Sequence, residues 1–456
     1  MQRRGIRSWE IADGSRAFRR LLGVGMAGFL IALSGVACTS SQGGELGSSA
    51  QAAPPVAAGA TPSSQAGTGS APTVEALGAE ALRYVRVLST ELGPRDTESG
   101  GERRGAAFLA QEFQAAGLRV QQQEFSVAVL LRSEPRLTVT APAARDVNAE
   151  PMIGSDEGVG QGALVFGGLG KPADLPAGGL KGKVALFERG EIRFQEKAEN
   201  AARAGAVAVV VYNNAAGPLF GSLLAGVGVP VVGISRDDGQ SLKELLAQGE
   251  VMVRVAIKRV QLPSANIIAE LPADNRGQKG GIVIIGGHYD TIPGVPGAND
   301  NGSGAAVLLT LAREIAGKRY PFTVRLVGFG AEELGLWGSR RYVESLPAEE
   351  RSRIKAVMNL DVVGAQALLG ALGDAALAED LKSQAASMGL SLGAVSGDVS
   401  SDHLSFTREG IPAVILTTPD FSVIHTPEDT VDRLEPLRLG QTAALVLGYL
   451  EALGRR

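Results

Sequence analysis

Short runs rich in valine, isoleucine and leucine alternate with helical segments along the chain from Ser264 onward. The apolar runs are SANIIAEL, GIVIIGG, FTVRLVGFG, IKAVMNLDVV and IPAVILTT, and the helical segments are GAAVLLTLAREIAG, AEDLKSQAASMG and PLRLGQTAALVLGYLEAL. Strands joined through helices lie parallel, and strands are apolar on both sides when helices cover both faces of the sheet. The sequence therefore predicts an α/β fold of three layers with a mostly parallel central sheet, in which ligands bind beyond the carboxyl ends of the strands.

A second, smaller unit is expected earlier in the chain. The segment VALFERGEIRFQEKAENAARAGAVAVVVYNN indicates strand, polar loop, helix and strand, and its surroundings contain no histidine or cysteine. This pattern resembles the protease-associated (PA) domain, a small α/β insert of exported peptidases, which implies a role in shaping or covering a cleft. We therefore predict an N-terminal part of the main domain at residues 74–144, a PA-like insert at 145–260 and the C-terminal part at 261–456.

The first 73 residues carry features of export. Several arginines precede LLGVGMAGFLIALSGVA, which ends directly before Cys38. A charged start followed by an apolar run and small residues indicates a signal peptide. The arrangement resembles a bacterial lipoprotein signal at residues 1–38, with Cys38 as the lipidated residue. Gly35 stands where such signals usually carry leucine, so ordinary cleavage with secretion is the alternative. Residues 39–73 predict a flexible linker.

The charge and the cysteine content of the chain limit the kinds of partner and cross-link that it can have. The formal net charge is −4, so there is no basic surplus that would indicate nucleic acid. Cys38 is the only cysteine, which excludes an internal disulfide. We expect contact with a membrane only through a lipid anchor, and we expect an exported protein, either anchored to a membrane or secreted or periplasmic.

Imidazole and carboxylate groups recur at predicted strand ends and turns of the C-terminal part. They are His288 and Asp290 after GIVIIGG, Asp300 in GANDNGSG, Glu332 and Glu333 after TVRLVGFGA, Asp361 in NLD and His425 in IHTPEDT. Such donors suit zinc, and also cobalt or manganese. One donor from each of the five segments gives two histidines and three carboxylates. These exceed the ligands of one tetrahedral zinc but suffice for two metal ions that share a carboxylate, and a further carboxylate is left to act as a base.

Each of these motifs alone also has an ordinary structural explanation. GANDNGSG alone would be a turn and a helix cap, and Glu332 alone would be a solvated charge. The segment IHTPEDT alone would be a loop that leads into a helix, with Asp429 as its cap.

Taken together and in this order, HYD, GANDNGSG, AEELGLWGS, NLD and IHTPEDT resemble the M28 family of co-catalytic zinc aminopeptidases. The resemblance extends over Val74–Arg456 apart from the insert, and it implies two zinc ions per chain. In the first site it implies His288 and Asp361, and in the second Glu333 and His425, with Asp300 bridging the two.

The resemblance also implies the roles of other residues. Glu332 would be the general base, and Asp290 would accept the second ring N–H of His288. The segment SDHLSF, with Asp402 and His403, matches a further segment of the family, and we expect it to line the site or to contact the substrate.

The expected function is that of an exported di-zinc aminopeptidase acting on peptides. A carboxypeptidase or dipeptidase on the same fold is the first alternative, and it would require arginines for the substrate carboxylate, for which Arg340, Arg341 and Arg408 are candidates. A glutaminyl cyclase, which uses one zinc, is another alternative. A binding protein without enzymatic activity is the alternative from a different class.

Overall fold

The computed structural model describes residues 72–130, 134–274, 280–397 and 399–455. The predicted signal peptide, Cys38 and almost all of the predicted linker lie outside the described residues. Across the described ranges, no helix combines the length and the apolar character that crossing a bilayer would require.

The described residues form ten α-helices and fifteen β-strands. The helices are α1 (Val74–Arg86), α2 (Gly101–Ala115), α3 (Phe194–Arg203), α4 (Arg236–Gln248), α5 (Gly302–Ile315), α6 (Trp337–Ser345), α7 (Ala348–Arg353), α8 (Ala375–Ser387), α9 (His403–Thr407) and α10 (Pro436–Arg455). The strands are β1 (Arg119–Leu130), β2 (Leu137–Ala141), β3 (Arg145–Val147), β4 (Ala149–Pro151), β5 (Gly158–Phe166), β6 (Val184–Glu188), β7 (Ala208–Tyr212), β8 (Val231–Ile234), β9 (Met252–Ile257), β10 (Arg259–Leu271), β11 (Ile282–His288), β12 (Thr323–Phe329), β13 (Ile354–Leu360), β14 (Gly370–Gly373) and β15 (Ala413–Thr417).

The main sheet has seven strands in the order β1-β10-β12-β11-β13-β15-β14. Its centre, β12-β11-β13-β15, is parallel, as the alternation of strands and helices predicts. Both edges are antiparallel, and this includes β10, the strand formed by SANIIAEL. The reason is that β1 leads out toward the second sheet and β10 leads back, so the two form one long antiparallel ribbon.

Helices cover both faces of this sheet. The odd and even residues of β11 separate into two cores: Val283 and Ile285 pack with α1, α5 and α10, whereas Ile282 and Ile284 pack with α6 and α9. This is the two-residue alternation of a strand that is buried on both faces. The three-layer α/β arrangement is therefore confirmed.

The second sheet has eight strands in the order β3-β2-β9-β5-β6-β7-β8-β4. Strands β5 to β8 pair in parallel, and α3 and α4 pack on the two faces of this part. The short strands β2, β3 and β4 and the strand β9 add antiparallel partners at its edges. Strand β2 begins at Leu137, before the predicted start of the insert at residue 145.

Candidate metal centre

The polar residues of the C-terminal motifs meet at one edge of the main sheet. His288 is the last residue of β11, Glu332 and Glu333 lie in the turn after β12, and Asp361 directly follows β13. Because β12, β11 and β13 are parallel neighbours, their carboxyl ends lie side by side. The topology alone therefore brings these side chains together, as the rule for parallel sheets predicts.

Asp300 lies between the two histidines. One carboxylate oxygen, Oδ1, is 3.2 Å from His288 Nε2, and the other, Oδ2, is 3.1 Å from His425 Nε2. His288 Nε2 is also 3.3 Å from Asp361 Oδ1, and His425 Nε2 is 3.2 Å from Glu333 Oε2. The five side chains thus form two groups of three donors that share Asp300.

These donors fit metal ions. In each group the ligand atoms all lie within 4.8 Å of one another. The buried oxygens Asp361 Oδ1 and Glu333 Oε1 accept no hydrogen bond within the part of the chain that the structure describes. A buried carboxylate oxygen without a donor is costly unless a cation lies beside it. The nitrogen and oxygen donors are of the kind that zinc prefers.

Neighbouring carboxylates affect one another strongly at this edge. Burial raises the pKa of Glu332 well above its usual value, and the charges of Asp402, Asp361 and Glu333 raise it further, against the opposing effect of His288. Burial raises the pKa of Glu333 to about 7. A bound cation reverses this tendency and lets both adjacent glutamates stay ionised.

The turn that carries these glutamates has a constrained backbone. Ala331 is fully buried and has a φ of 52°, a conformation that non-glycine residues rarely adopt. At Gly330, a Cβ atom would lie 2.5 Å from Oε1 of the buried Glu102, so the glycine permits a close approach. Glu102 accepts a hydrogen bond from Ser264, and burial raises the pKa of its carboxyl to about 7.

Asp290 holds the same turn from the other side. Its two carboxylate oxygens accept hydrogen bonds from the backbone N–H groups of Glu332, at 3.1 Å, and Glu333, at 3.2 Å. His288 Nδ1 lies 3.2 Å from the backbone carbonyl oxygen of Asp290 and 3.5 Å from its carboxylate. The structure thus adds a contact that the sequence did not suggest, in which Asp290 fixes the backbone of both glutamates.

Asp429 does not cap a helix, because the next α-helix, α10, begins at Pro436. The side chain is fully buried and accepts hydrogen bonds from the backbone N–H groups of Asn299, at 2.8 Å, and Asp300, at 3.0 Å. The residue therefore fixes the backbone at Asp300. Its place in the IHTPEDT motif gave a hint of importance, but nothing in the spacing reveals this partner.

Ser401 is a second supporting residue that the motifs did not identify. Its hydroxyl donates to Asp361 Oδ2 at 2.6 Å and accepts a hydrogen bond from Asn359 Nδ2 at 2.7 Å. The serine directly precedes the Asp402–His403 pair in SDHLSF, so the segment does reach the site.

Asp402 and His403 lie at the start of α9 and are buried, with exposed fractions of 0% and 2%. Burial raises the pKa of Asp402 to about 7 and lowers that of His403 to about 4. The charges of His288 and Asp361 act on Asp402, so the pair lies close to the site. Its burial favours a supporting role, and contact with a substrate stays a prediction.

Comparison with known proteins shows the family of the chain. The model of peptidase family M28 matches residues 266–450, and that of the PA domain matches residues 155–242. Aminopeptidase YwaD of Bacillus subtilis (strain 168) is 34% identical over 386 residues, which cover 80% of this chain and 82% of that protein. The chain belongs to peptidase family M28.

Solved structures extend the similarity to the fold. An aminopeptidase from Aneurinibacillus sp. strain AM-1 is 32% identical, with a TM-score of 0.63, over 83% of this chain and 93% of that one. BSAP, a zinc aminopeptidase from Bacillus subtilis, is 32% identical, with a TM-score of 0.64, over 82% of this chain and 94% of that one. The predictions of a family M28 hydrolase and of a PA domain are therefore confirmed.

Proposed function

We propose that this M28 peptidase is an aminopeptidase that holds two zinc ions per chain and removes N-terminal residues from peptides. The observation that carries the proposal is the position of Asp300, whose two oxygens face His288 and His425 at 3.2 and 3.1 Å. A carboxylate shared between two groups of donors is the arrangement of paired metal ions about 3.5–4 Å apart. Two relatives from Bacillus subtilis also support the proposal, because one is an aminopeptidase and the other a zinc aminopeptidase.

The two metal sites divide the ligands as the motifs imply. His288 and Asp361 would hold the first ion, Glu333 and His425 the second, and Asp300 both. Four of the five ligands are also held by another group of the chain: His288 and Glu333 by Asp290, Asp300 by Asp429, and Asp361 by Ser401. Metal ligands fixed in this way lose little freedom when the ion binds, which favours affinity.

Glu332 would be the general base and then the general acid. When bound, zinc ions make a water molecule more acidic and polarise the carbonyl of the peptide bond. The Glu332 carboxylate accepts the proton of the attacking water and donates it to the nitrogen of the departing amine. Two features support this role. Glu332 belongs to neither group of ligands, and it is partly exposed to solvent next to the two groups.

Hydrolysis of anilides tests the proposal. We expect the purified protein to cleave leucine p-nitroanilide, to lose this activity in a strong zinc chelator and to regain it with zinc. N-acetyl-leucine p-nitroanilide is the matched control, because only an aminopeptidase requires the free amine. Cleavage of the blocked substrate at an equal rate, or of neither substrate while zinc is bound, would contradict an aminopeptidase.

The arginines considered for a carboxypeptidase give that alternative no support. Arg340 and Arg341 lie over the ring of Trp337, with guanidinium carbons 5.2 and 5.3 Å from its centroid. Arg408 lies at the end of α9. Five potential ligands also exceed what a single-zinc glutaminyl cyclase would use, and a binding protein would not require Glu332 beside them.

We further propose that the protein is exported and that Cys38 carries a lipid. The support is the sequence of residues 1–38 alone. Expressed in a bacterial host that is fed a labelled fatty acid, the full chain should take up the label, whereas Cys38→Ser should not. A full chain without label would contradict the lipid anchor.

A further inference from the structure

Arg95 contacts the loop that joins two of the proposed metal ligands, His288 and Asp300. The residue is fully buried, with an exposed fraction of 0%, and it belongs to none of the motifs above. We propose that Arg95 is a positioning residue for the metal centre: its guanidinium fixes the path of residues 289–297, so that His288 and Asp300 meet at the same ion. This inference rests on the proposed two-metal function.

The guanidinium holds both ends of this loop. Nε donates to the carbonyl of Tyr289 at 2.7 Å, Nη1 donates to that of Pro296 at 2.9 Å, and Nη2 donates to that of Gly297 at 2.7 Å. The backbone N–H of Arg95 donates to Thr291 Oγ1 at 3.0 Å. Tyr289 directly follows His288, and Gly297 lies three residues before Asp300, so the contacts begin and end close to the two ligands.

The same side chain ties the loop to the N-terminal part of the domain. Nη1 also donates to the carbonyls of Leu88, at 2.9 Å, and Gly93, at 3.3 Å, which follow α1. The fit is close on the loop side too. A Cβ on Gly297 would lie 3.0 Å from Arg95 Nη2, and the φ of 59° at this residue is one that glycine adopts without strain.

The charge of Arg95 also suits this position. Burial lowers the pKa of Arg95 to about 10, and the charges of Asp429, Asp290, Asp300 and Glu333 oppose that change, so the side chain stays protonated at neutral pH. A buried cation is tolerated where carbonyl oxygens satisfy its donors. Five carbonyl oxygens surround the planar guanidinium, and a lysine ammonium group with three donors cannot reproduce this set of hydrogen bonds.

The contribution of loop geometry can be separated from that of charge. We would compare wild-type full-length protein with Arg95→Lys, Arg95→Met and a control, Arg325→Met. Arg325 is a largely buried arginine of β12 that pairs with Glu270 and Glu350. Zinc affinity would be measured by competition with a chelating dye, alongside thermal unfolding and the kcat and KM for leucine p-nitroanilide.

Both Arg95 variants are expected to bind zinc about 10- to 100-fold more weakly, as is usual when a group that orients a ligand is lost. Because the misplaced groups are ligands rather than substrate contacts, kcat should fall at moderate zinc while KM changes little. Arg325→Met should lower the melting temperature and leave zinc affinity within twofold of the wild type.

Several outcomes would overturn the inference. If both Arg95 variants bound zinc as tightly as the wild type, Arg95 would have only a structural role. If Arg95→Lys alone bound zinc as tightly as the wild type, the effect would come from the charge and not from loop geometry. Should Arg95→Met fail to fold, Arg95→Lys still decides, because it keeps the charge and removes the planar guanidinium. A wild-type protein that binds no zinc would refute the proposed function itself, and the parallel measurement distinguishes that case.

Discussion

Asp429 offers a sharp test of how the chain holds its metal ligands. Its carboxylate accepts the backbone N–H groups of Asn299 and Asp300 at 2.8 and 3.0 Å, and the side chain is fully buried. The substitution Asp429→Asn keeps the size of the side chain, so it creates no cavity. It keeps one acceptor oxygen and turns the other into a donor that faces a backbone N–H.

The expected cost follows from these contacts. A hydrogen bond to a charged group contributes roughly 1.5–3 kcal/mol, and one of two is lost. The two N–H groups belong to Asn299 and to Asp300, the proposed bridging ligand, so losing either contact loosens the backbone at Asp300. We therefore also expect zinc affinity to fall about 10- to 100-fold. Urea unfolding of the metal-free protein would measure the first effect, and chelator competition would measure the second.

The matched control is Asp432→Asn, the same substitution three residues further along, at an exposed position. It should change neither quantity. If Asp429→Asn bound zinc within twofold of the wild type, the inference that Asp429 positions Asp300 would be refuted, whatever the change in stability.

Three other predictions concern the base, a close approach and a buried histidine. Glu332→Gln should keep both zinc ions and lower kcat by about 10²- to 10⁴-fold, and near-normal turnover would show that Glu332 is not the base. Gly304→Ala should lower the free energy of unfolding in urea by about 1–3 kcal/mol, because the added Cβ would lie 2.2 Å from the Leu360 carbonyl oxygen. The control, Gly178→Ala, should leave it unchanged, because a Cβ at that position has no neighbour within 4 Å. Burial lowers the pKa of His403 to about 4, so the unfolded state binds more protons than the folded state between pH 6.5 and 4. The free energy of unfolding should therefore fall by roughly 3 kcal/mol as the pH falls through this window. His403→Gln should remove that part of the pH dependence, and identical pH profiles of the two proteins would contradict the assignment.

The parts of the fold and site that the sequence predicts are those specified locally. Val283 to Ile285 indicate a buried strand by composition alone, and the position of His288 at its end follows from the same few residues. The antiparallel direction of β10 could not be predicted in this way. It depends on β1 and β10 forming a single ribbon to the second sheet, a pairing between segments far apart in the chain.

The supporting residues of the site were missed for the same physical reason. Arg95 lies in a polar stretch that indicates only a loop, and its partners Tyr289 and Gly297 lie 194 and 202 residues further along the chain. Asp429 meets the backbone of Asp300 across 129 positions. Periodicity and spacing report what neighbouring residues share, so contacts between distant loops become visible only in the folded chain.

An anomalous difference map from zinc-loaded crystals would show whether two metal ions share Asp300. We expect two zinc peaks about 3.5–4 Å apart, with one oxygen of Asp300 beside each. His288 and Asp361 should lie at one peak, and Glu333 and His425 at the other. A single peak, or two peaks that Asp300 does not join, would refute the shared site.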